Sequence, residues 1–186
     1  ESGKQPIEIS AQCIEPVLAE IGDKFSRLEI FLPEMINSAE VVKAIQAALK
    51  PHMGADQAST SKGKIVIATV SGDLHDIGKN IVKAMLEVNG YELKDLGVDV
   101  SPQAALSSAK EFDADIIALS ALMLPSLPFV KDVIDFVEAN EETRQRFKVI
   151  VGGGPVSQDW ADEAGADGYG NNAIDAVDIV RQLLPV

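Results

Sequence analysis

From Ile9 onward, apolar residues Cys13, Ile14, Val17, Leu18, Ile21 and Phe25 recur at helical spacing, which predicts an amphipathic helix. A short turn around Leu28, Glu29 and Ile30 leads into Phe31-Leu32-Pro33-Glu34, where Pro33 suits the first turn of a second helix. Met35, Ile36, Ala39, Val42, Ala44, Ile45, Ala48 and Leu49 continue that helix, and Pro51 ends it. Small and polar residues then dominate up to Lys64, as in a linker. Beyond it the period changes. Continuous apolar runs predict strands over 64–70, 91–97, 115–120, 147–151 and 167–169, and helical patterns fall between and after them over 77–88, 102–112, 128–139, 157–164 and 173–184. Five such strands alternating with helices predict an α/β fold: a doubly wound, five-stranded parallel sheet, Rossmann-like and covered on both faces, preceded by a small helical domain. The expected division is 1–54 helical, 55–63 linker and 64–186 α/β.

The bulk numbers narrow the function. A chain of 186 residues with 46% hydrophobic content can bury a real core. Its formal net charge of −13 argues against nucleic acid, whose phosphates need a clustered basic surface. No run approaches the ~20 apolar residues of a membrane span, and no signal-peptide pattern opens the chain. A cytoplasmic protein is expected. The chain begins Glu1-Ser2-Gly3-Lys4 without a methionine, which reads as a processed or artificial start. A single cysteine, Cys13, excludes an internal disulfide and is expected to be a small buried apolar residue.

The candidate chemistry lies directly after the first strand, in Asp73-Leu74-His75-Asp76-Ile77-Gly78. In an open parallel sheet, ligands bind in the crevice beyond the carboxyl ends of the strands. Taken alone, the motif also fits an ordinary loop with a capping Asp, an exposed His and a packing Gly. The remaining histidine, His52, falls in the linker, where a helix C-terminus favours an exposed imidazole. With only two histidines and one cysteine, the chain can hardly assemble the three or four ligands of a usual zinc site. A metal already ringed by a macrocycle needs only one axial ligand, which His75 can supply, with Asp73 orienting the ring and raising its basicity.

Other strands end in residues suited to a large, partly polar ligand. Strand three leads into Ser120, Leu122 and Ser126, strand four into Gly152-Gly153-Gly154, and strand five into Tyr169, Gly170, Asn171 and Asn172. The three glycines suit a turn as well as close approach of a ligand. No Gly-x-Gly-x-x-Gly follows strand one, so a dinucleotide site is not expected.

With these pieces together, the chain resembles the corrinoid proteins of cobalamin-dependent methyltransferase systems and is similar to the cobalamin-binding region of methionine synthase. The resemblance runs from about Ile9 to the end and is strongest over Gly72-Asp73-Leu74-His75-Asp76-Ile77-Gly78-Lys79-Asn80, with support from Phe31-Leu32-Pro33-Glu34 and Gly165-Ala166-Asp167-Gly168-Tyr169-Gly170. It implies cobalamin as cofactor, cycling between methylcobalamin and cob(I)alamin, bound base-off with His75 on cobalt and with Asp73 and Ser126 extending a proton relay. Gly72, Asp76, Ile77 and Gly78 would complete the binding loop. The nucleotide tail would enter a crevice lined by Ser120, Leu122, Gly152, Gly153, Gly154, Tyr169 and Gly170, and Phe31 would cap the upper face. The implied role is a methyl carrier without a complete active site. Its partners would be a donor-specific methyltransferase, an acceptor methyltransferase and a reductive activator. The alternatives are a fragment of methionine synthase or a cobalamin-binding sensor. The family's helical domain is usually a four-helix bundle, and only two helices are readable here, so a partial bundle with apolar faces open to self-association is expected.

Overall fold

The structure, a computed structural model, describes residues 9–49 and 61–185. A π-helical turn, Ser10–Ile14, runs into α1 (Glu15–Ser26), and α2 follows (Leu32–Leu49). The periodicity predicts one uniform helix from Ile9; the structure instead widens its start. Pro16 lies just beyond the π turn and has no N–H to donate to the carbonyl four residues back, so a regular α-helical ladder cannot run through it. Glu34 accepts the N–H of Phe31 (3.0 Å), closing the first turn of α2.

The five strands β1 (Lys64–Thr69), β2 (Glu92–Asp95), β3 (Ile116–Ser120), β4 (Lys148–Gly152) and β5 (Gly168–Gly170) form one all-parallel sheet in the order β2-β1-β3-β4-β5. Helices α3 (Ile77–Val88), α4 (Pro102–Phe112), α5 (Leu127–Glu138), α6 (Glu141–Arg146), α7 (Gln158–Ala164) and α8 (Ala173–Leu183) make the connections and the C-terminal layer. The central strands β1, β3 and β4 are buried on both faces, the edge strands β2 and β5 only in part, and the two-residue period sends alternate side chains to opposite sides. Val66, Ala68, Ile117, Leu119, Val149 and Val151 pack with α4, α5 and α7. Ile65, Ile67, Ile116, Ala118 and Ile150 pack with α3 and α8, and Ile14, Met35 and Val42 of the helical segment join that second core. The helical segment therefore forms an outer layer lying on α3.

Two expectations need correction. Helix α6 has no apolar period and so left no signal; Asn140 caps its start, Glu141 and Glu142 occupy its first turn, and Arg144 and Arg146 its last, a charge order that suits the helix dipole. Cys13 is exposed, not buried. It lines an apolar groove of ≈ 450 Å³ with Val17, Ile21, Val41 and Ile45, between the two N-terminal helices. His52 and most of the expected linker lie outside the described residues, while Ser61 and Lys62 are tied to β2 and its approach: the Ser61 hydroxyl accepts the N–H of Glu92 (3.2 Å), and Lys62 donates its N–H to the carbonyl of Gly90 (3.0 Å). Among the described residues no helix is long and apolar enough to cross a membrane.

Candidate functional site

Strand order reverses between β1 and β3, so the loops leaving these neighbours part on opposite sides of the sheet and open a crevice. Asp73, wholly buried, joins them. Its Oδ1 accepts the backbone N–H of His75 (3.0 Å) and pairs with His75 Nδ1 (2.7 Å). Its Oδ2 accepts the N–H groups of Leu122 (2.6 Å) and Met123 (3.2 Å) and the Ser126 hydroxyl (3.2 Å). Burial pushes the carboxyl up, but the amides of His75 and Leu122, the His75 ring and the amide of Met123 outweigh it and bring Asp73 down to about 2. An anionic carboxylate can only accept, so Nδ1 carries the proton and Nε2 presents a lone pair. Among the described residues Nε2 has no hydrogen-bond partner, and the side chain is 53% exposed. From below, buried Thr69 donates its hydroxyl to the His75 carbonyl (2.9 Å). Ser126 is buried too, and its one hydrogen is shared between Asp73 and the carbonyl of Met123 (2.6 Å).

The loops that meet at Asp73 hold large apolar side chains in solvent: Leu74 is 71% exposed, Ile77 77% and Leu124 70%. Such a patch around an imidazole marks a place where an apolar surface is to be covered. Beside it opens a cavity of ≈ 530 Å³. Its floor comes from Ile67, Ala118 and Ile150, one face of the sheet, and its walls include Gly78, Lys79 and Ile81 of α3, Ala176 of α8 and Phe25 of α1.

The glycines here do different work. A Cβ on Gly153 would sit 1.8 Å from the carbonyl oxygen of Ala121, and one on Gly152 2.9 Å from that of Gly170, so these two let adjoining backbones approach each other. Gly78 is the exception: a Cβ there would meet nothing within 4 Å. Its missing side chain leaves the cavity wall open, and no packing contact demands its absence. Lys79 forms part of the wall, but its Nζ is spent on Asp95 (2.8 and 2.9 Å) and Asn80 (2.7 Å). Burial raises the Asp95 carboxyl, and the Lys79 hydrogen bond leads the contacts that bring it below its ordinary value.

Of the residues singled out from sequence, Gly78, Ser120, Leu122, Gly152, Gly153, Gly154, Tyr169 and Gly170 line the cavity together. Asp73, His75 and Ser126 form the adjoining cluster, with Gly72 on the same loop as Asp73 and His75 and Ile77 opening α3 directly after it. Asp76 stands at the start of α3 and accepts the side-chain amide of Asn80 (3.0 Å). Phe31 is 63% exposed and does not line the cavity, whereas Phe25, read only as part of a helical stripe, does. Thr69 was also missed; a hydroxyl closing an otherwise apolar strand was its one signal. Among the described residues, no three His, Cys, Asp or Glu side chains converge as a site for a bare ion.

Residues 63–178 match the family model of the B12 binding domain, and residues 1–50 match a second B12 binding domain model. The chain belongs to the B12-binding corrinoid protein family. It is 45% identical over 165 residues to dimethylamine corrinoid protein 3 of Methanosarcina mazei, spanning 89% of this chain and 98% of that one. To dimethylamine corrinoid protein 1 of Methanosarcina acetivorans it is 43% identical over 179 residues, 96% of this chain and 84% of the other. Among solved structures, the methanol:cobalamin methyltransferase complex MtaBC from Methanosarcina barkeri superposes with a TM-score of 0.85 at 31% identity, over 98% of this chain and 69% of that one.

This corrinoid protein therefore binds a B12-type cofactor, and its own residues fit one: a lone-pair nitrogen on a fixed imidazole, an exposed apolar surface around it, and a cavity kept open at Gly78. Replacing Gly78 with Ala sets fold against ligand. In the first turn of α3, Ala is favoured over Gly by up to about 1 kcal/mol, so the cofactor-free protein is expected to gain stability. Crowding of the wall should weaken cobalamin binding at least about fivefold. Thermal unfolding and a cofactor titration on one preparation check both signs.

Proposed function

We propose that this corrinoid protein is a methyl carrier, holding cobalamin base-off with His75 as the lower axial ligand and moving a methyl group from a donor-specific methyltransferase to an acceptor methyltransferase. The observation that carries the reading is the 2.7 Å pairing of His75 Nδ1 with a buried, anionic Asp73, which leaves Nε2 free of hydrogen-bond partners among the described residues and available as a ligand. When bound, cobalt supplies the chemistry by serving in turn as nucleophile and as methyl donor. The chain does the rest. Asp73 sets the tautomer and orientation of His75, the amides of Leu122 and Met123 hold Asp73 in place, and Thr69 fixes the peptide that carries the ring. With Asp73 down at about 2, the carboxylate stays charged beside the ring.

We assign the displaced nucleotide tail to the apolar-floored cavity, with Ser120 and Tyr169 as its polar rim. The helical segment, 1–54, is our candidate cap, joined through 55–63 to the α/β domain of 64–186; Phe31, an exposed aromatic at the start of α2, supports a contact beyond the chain itself. The names of the relatives favour methylated amines or methanol as the methyl source, since the two relatives described above are dimethylamine corrinoid proteins and the solved complex is a methanol:cobalamin methyltransferase. That complex also supports a methyltransferase as direct partner, with a reductive activator as a third.

Hydroxocobalamin added to the purified protein tests the ligation. A base-off, His-on absorption spectrum is expected. Failure to bind, or binding with dimethylbenzimidazole still on cobalt, overturns the proposal.

A further inference from the structure

Asp73 fixes the side chain of His75, but a residue on another loop holds the peptide groups around Asp73. Asp99, between β2 and α4, donates its backbone N–H to the carbonyl of Asp73 (3.1 Å) and accepts the N–H of Gly72 on Oδ1 (2.8 Å). One residue thus grips both the amide before Asp73 and the carbonyl after it. Asp99 does so at a φ of +54°, a left-handed conformation that Gly, Asn and Asp tolerate best. Its neighbour Val100 donates its N–H to the carbonyl of Thr69 (3.0 Å) and bridges Val70, so the register of Asp99 is locked to the end of β1. The chain is braced twice there: Thr69 also holds the His75 carbonyl.

We propose that Asp99 is a positioning residue for cofactor ligation, presetting His75 before the cofactor arrives by clamping Gly72 and Asp73. This rests on the assignment of His75 as axial ligand. The side chain of Asp99 is exposed, and among the described residues it forms no ion pair; its hydrogen bond goes to the ligand loop. An amide bound to a charged oxygen makes one of the stronger hydrogen bonds, and a loop ordered in advance loses less entropy on binding.

Three substitutions separate the parts. Asp99→Asn keeps an acceptor oxygen and the tolerance for a left-handed backbone, Asp99→Gly keeps only the conformation, and Asp99→Ala loses both. In hydroxocobalamin titrations followed by absorption, D99N is expected within about twofold of the parent protein, and D99G about tenfold weaker with a smaller His-on fraction. D99A should be weaker again. In the cofactor-free protein, hydrogen exchange at the Gly72 amide should accelerate about tenfold in D99G and little in D99N. The D99G and D99N pair suffices if D99A does not fold. The proposal is overturned if D99G binds and exchanges like the parent, or if D99N is as impaired as D99G. A parent protein that binds cobalamin without His75 on cobalt sinks the ligand assignment instead, and amide exchange at Gly72 then still reads the clamp by itself.

Discussion

Replacing Asp73 with Ala is expected to destabilise the cofactor-free protein by about 3–5 kcal/mol, because it strips a buried site of the acceptor for five donors. The amides of Leu122 and Met123 would be left facing a void, and the loops that follow β1 and β3 would lose the side chain that joins them. Asp73→Asn is the sharper experiment. Its one oxygen best serves Leu122, Met123 and Ser126, which turns its NH₂ toward His75. The ring must then accept at Nδ1, moving its proton to Nε2 and removing the ligand lone pair. D73N should therefore be milder than D73A in chemical denaturation, yet fail to give a His-on spectrum. Acid unfolding supplies a second measurement. The folded carboxyl, at about 2, lies below its ordinary 3.8, so the stability it contributes is fully present above about pH 4 and is lost as the pH falls through 2. That contribution is on the order of 2 kcal/mol, and D73N should lack it. Equal acid sensitivity of D73N and the parent protein would show that Asp73 is not the linked group.

Replacing His75 with Gly is expected to do the reverse, sparing the fold and disabling the site. The ring is half-exposed and makes one side-chain hydrogen bond, and the N–H at position 75 remains to satisfy Oδ1, so the stability change should stay within about 1 kcal/mol. Cofactor retention should fall at least about tenfold, the lower end of what loss of a mere supporting contact to a metal ligand does. Free imidazole added to the variant should restore part of the His-on spectrum. Unchanged His-on absorption in His75→Gly would remove this residue from the ligand set. Together, D73A and H75G separate the carboxylate that builds the loop from the imidazole that uses it.

Much of this was legible along the chain. The apolar run from Lys64, the amphipathic stretch from Ile77 and the strands at Ile116 and Lys148 are local patterns, and the structure has them within a residue or two of where the periodicity puts them. Asp73, His75 and Ser126 could be named as candidates because each follows a strand at the sheet's carboxyl edge, with the resemblance to corrinoid proteins implying the relay that joins Ser126 to the other two. Short polar α6 left no such pattern, and the fate of Cys13 depended on what covers the outer helices. The glycines show the division most clearly. Gly78, Gly152 and Gly153 look alike in sequence, but only the backbone of Ala121 and Gly170, or empty space, determines which of them serves packing and which keeps the cavity open.

The sequence by itself thus settles the five strands, the amphipathic helices and the imidazole that follows β1, since each depends on side chains a few positions apart. Only the tertiary structure decides how that imidazole is held. Asp73 takes its other partners 49, 50 and 53 residues away, and Asp99 reaches Gly72 across 27. Those contacts exist because β1 lies between β2 and β3, so that loops distant in the chain leave the sheet side by side.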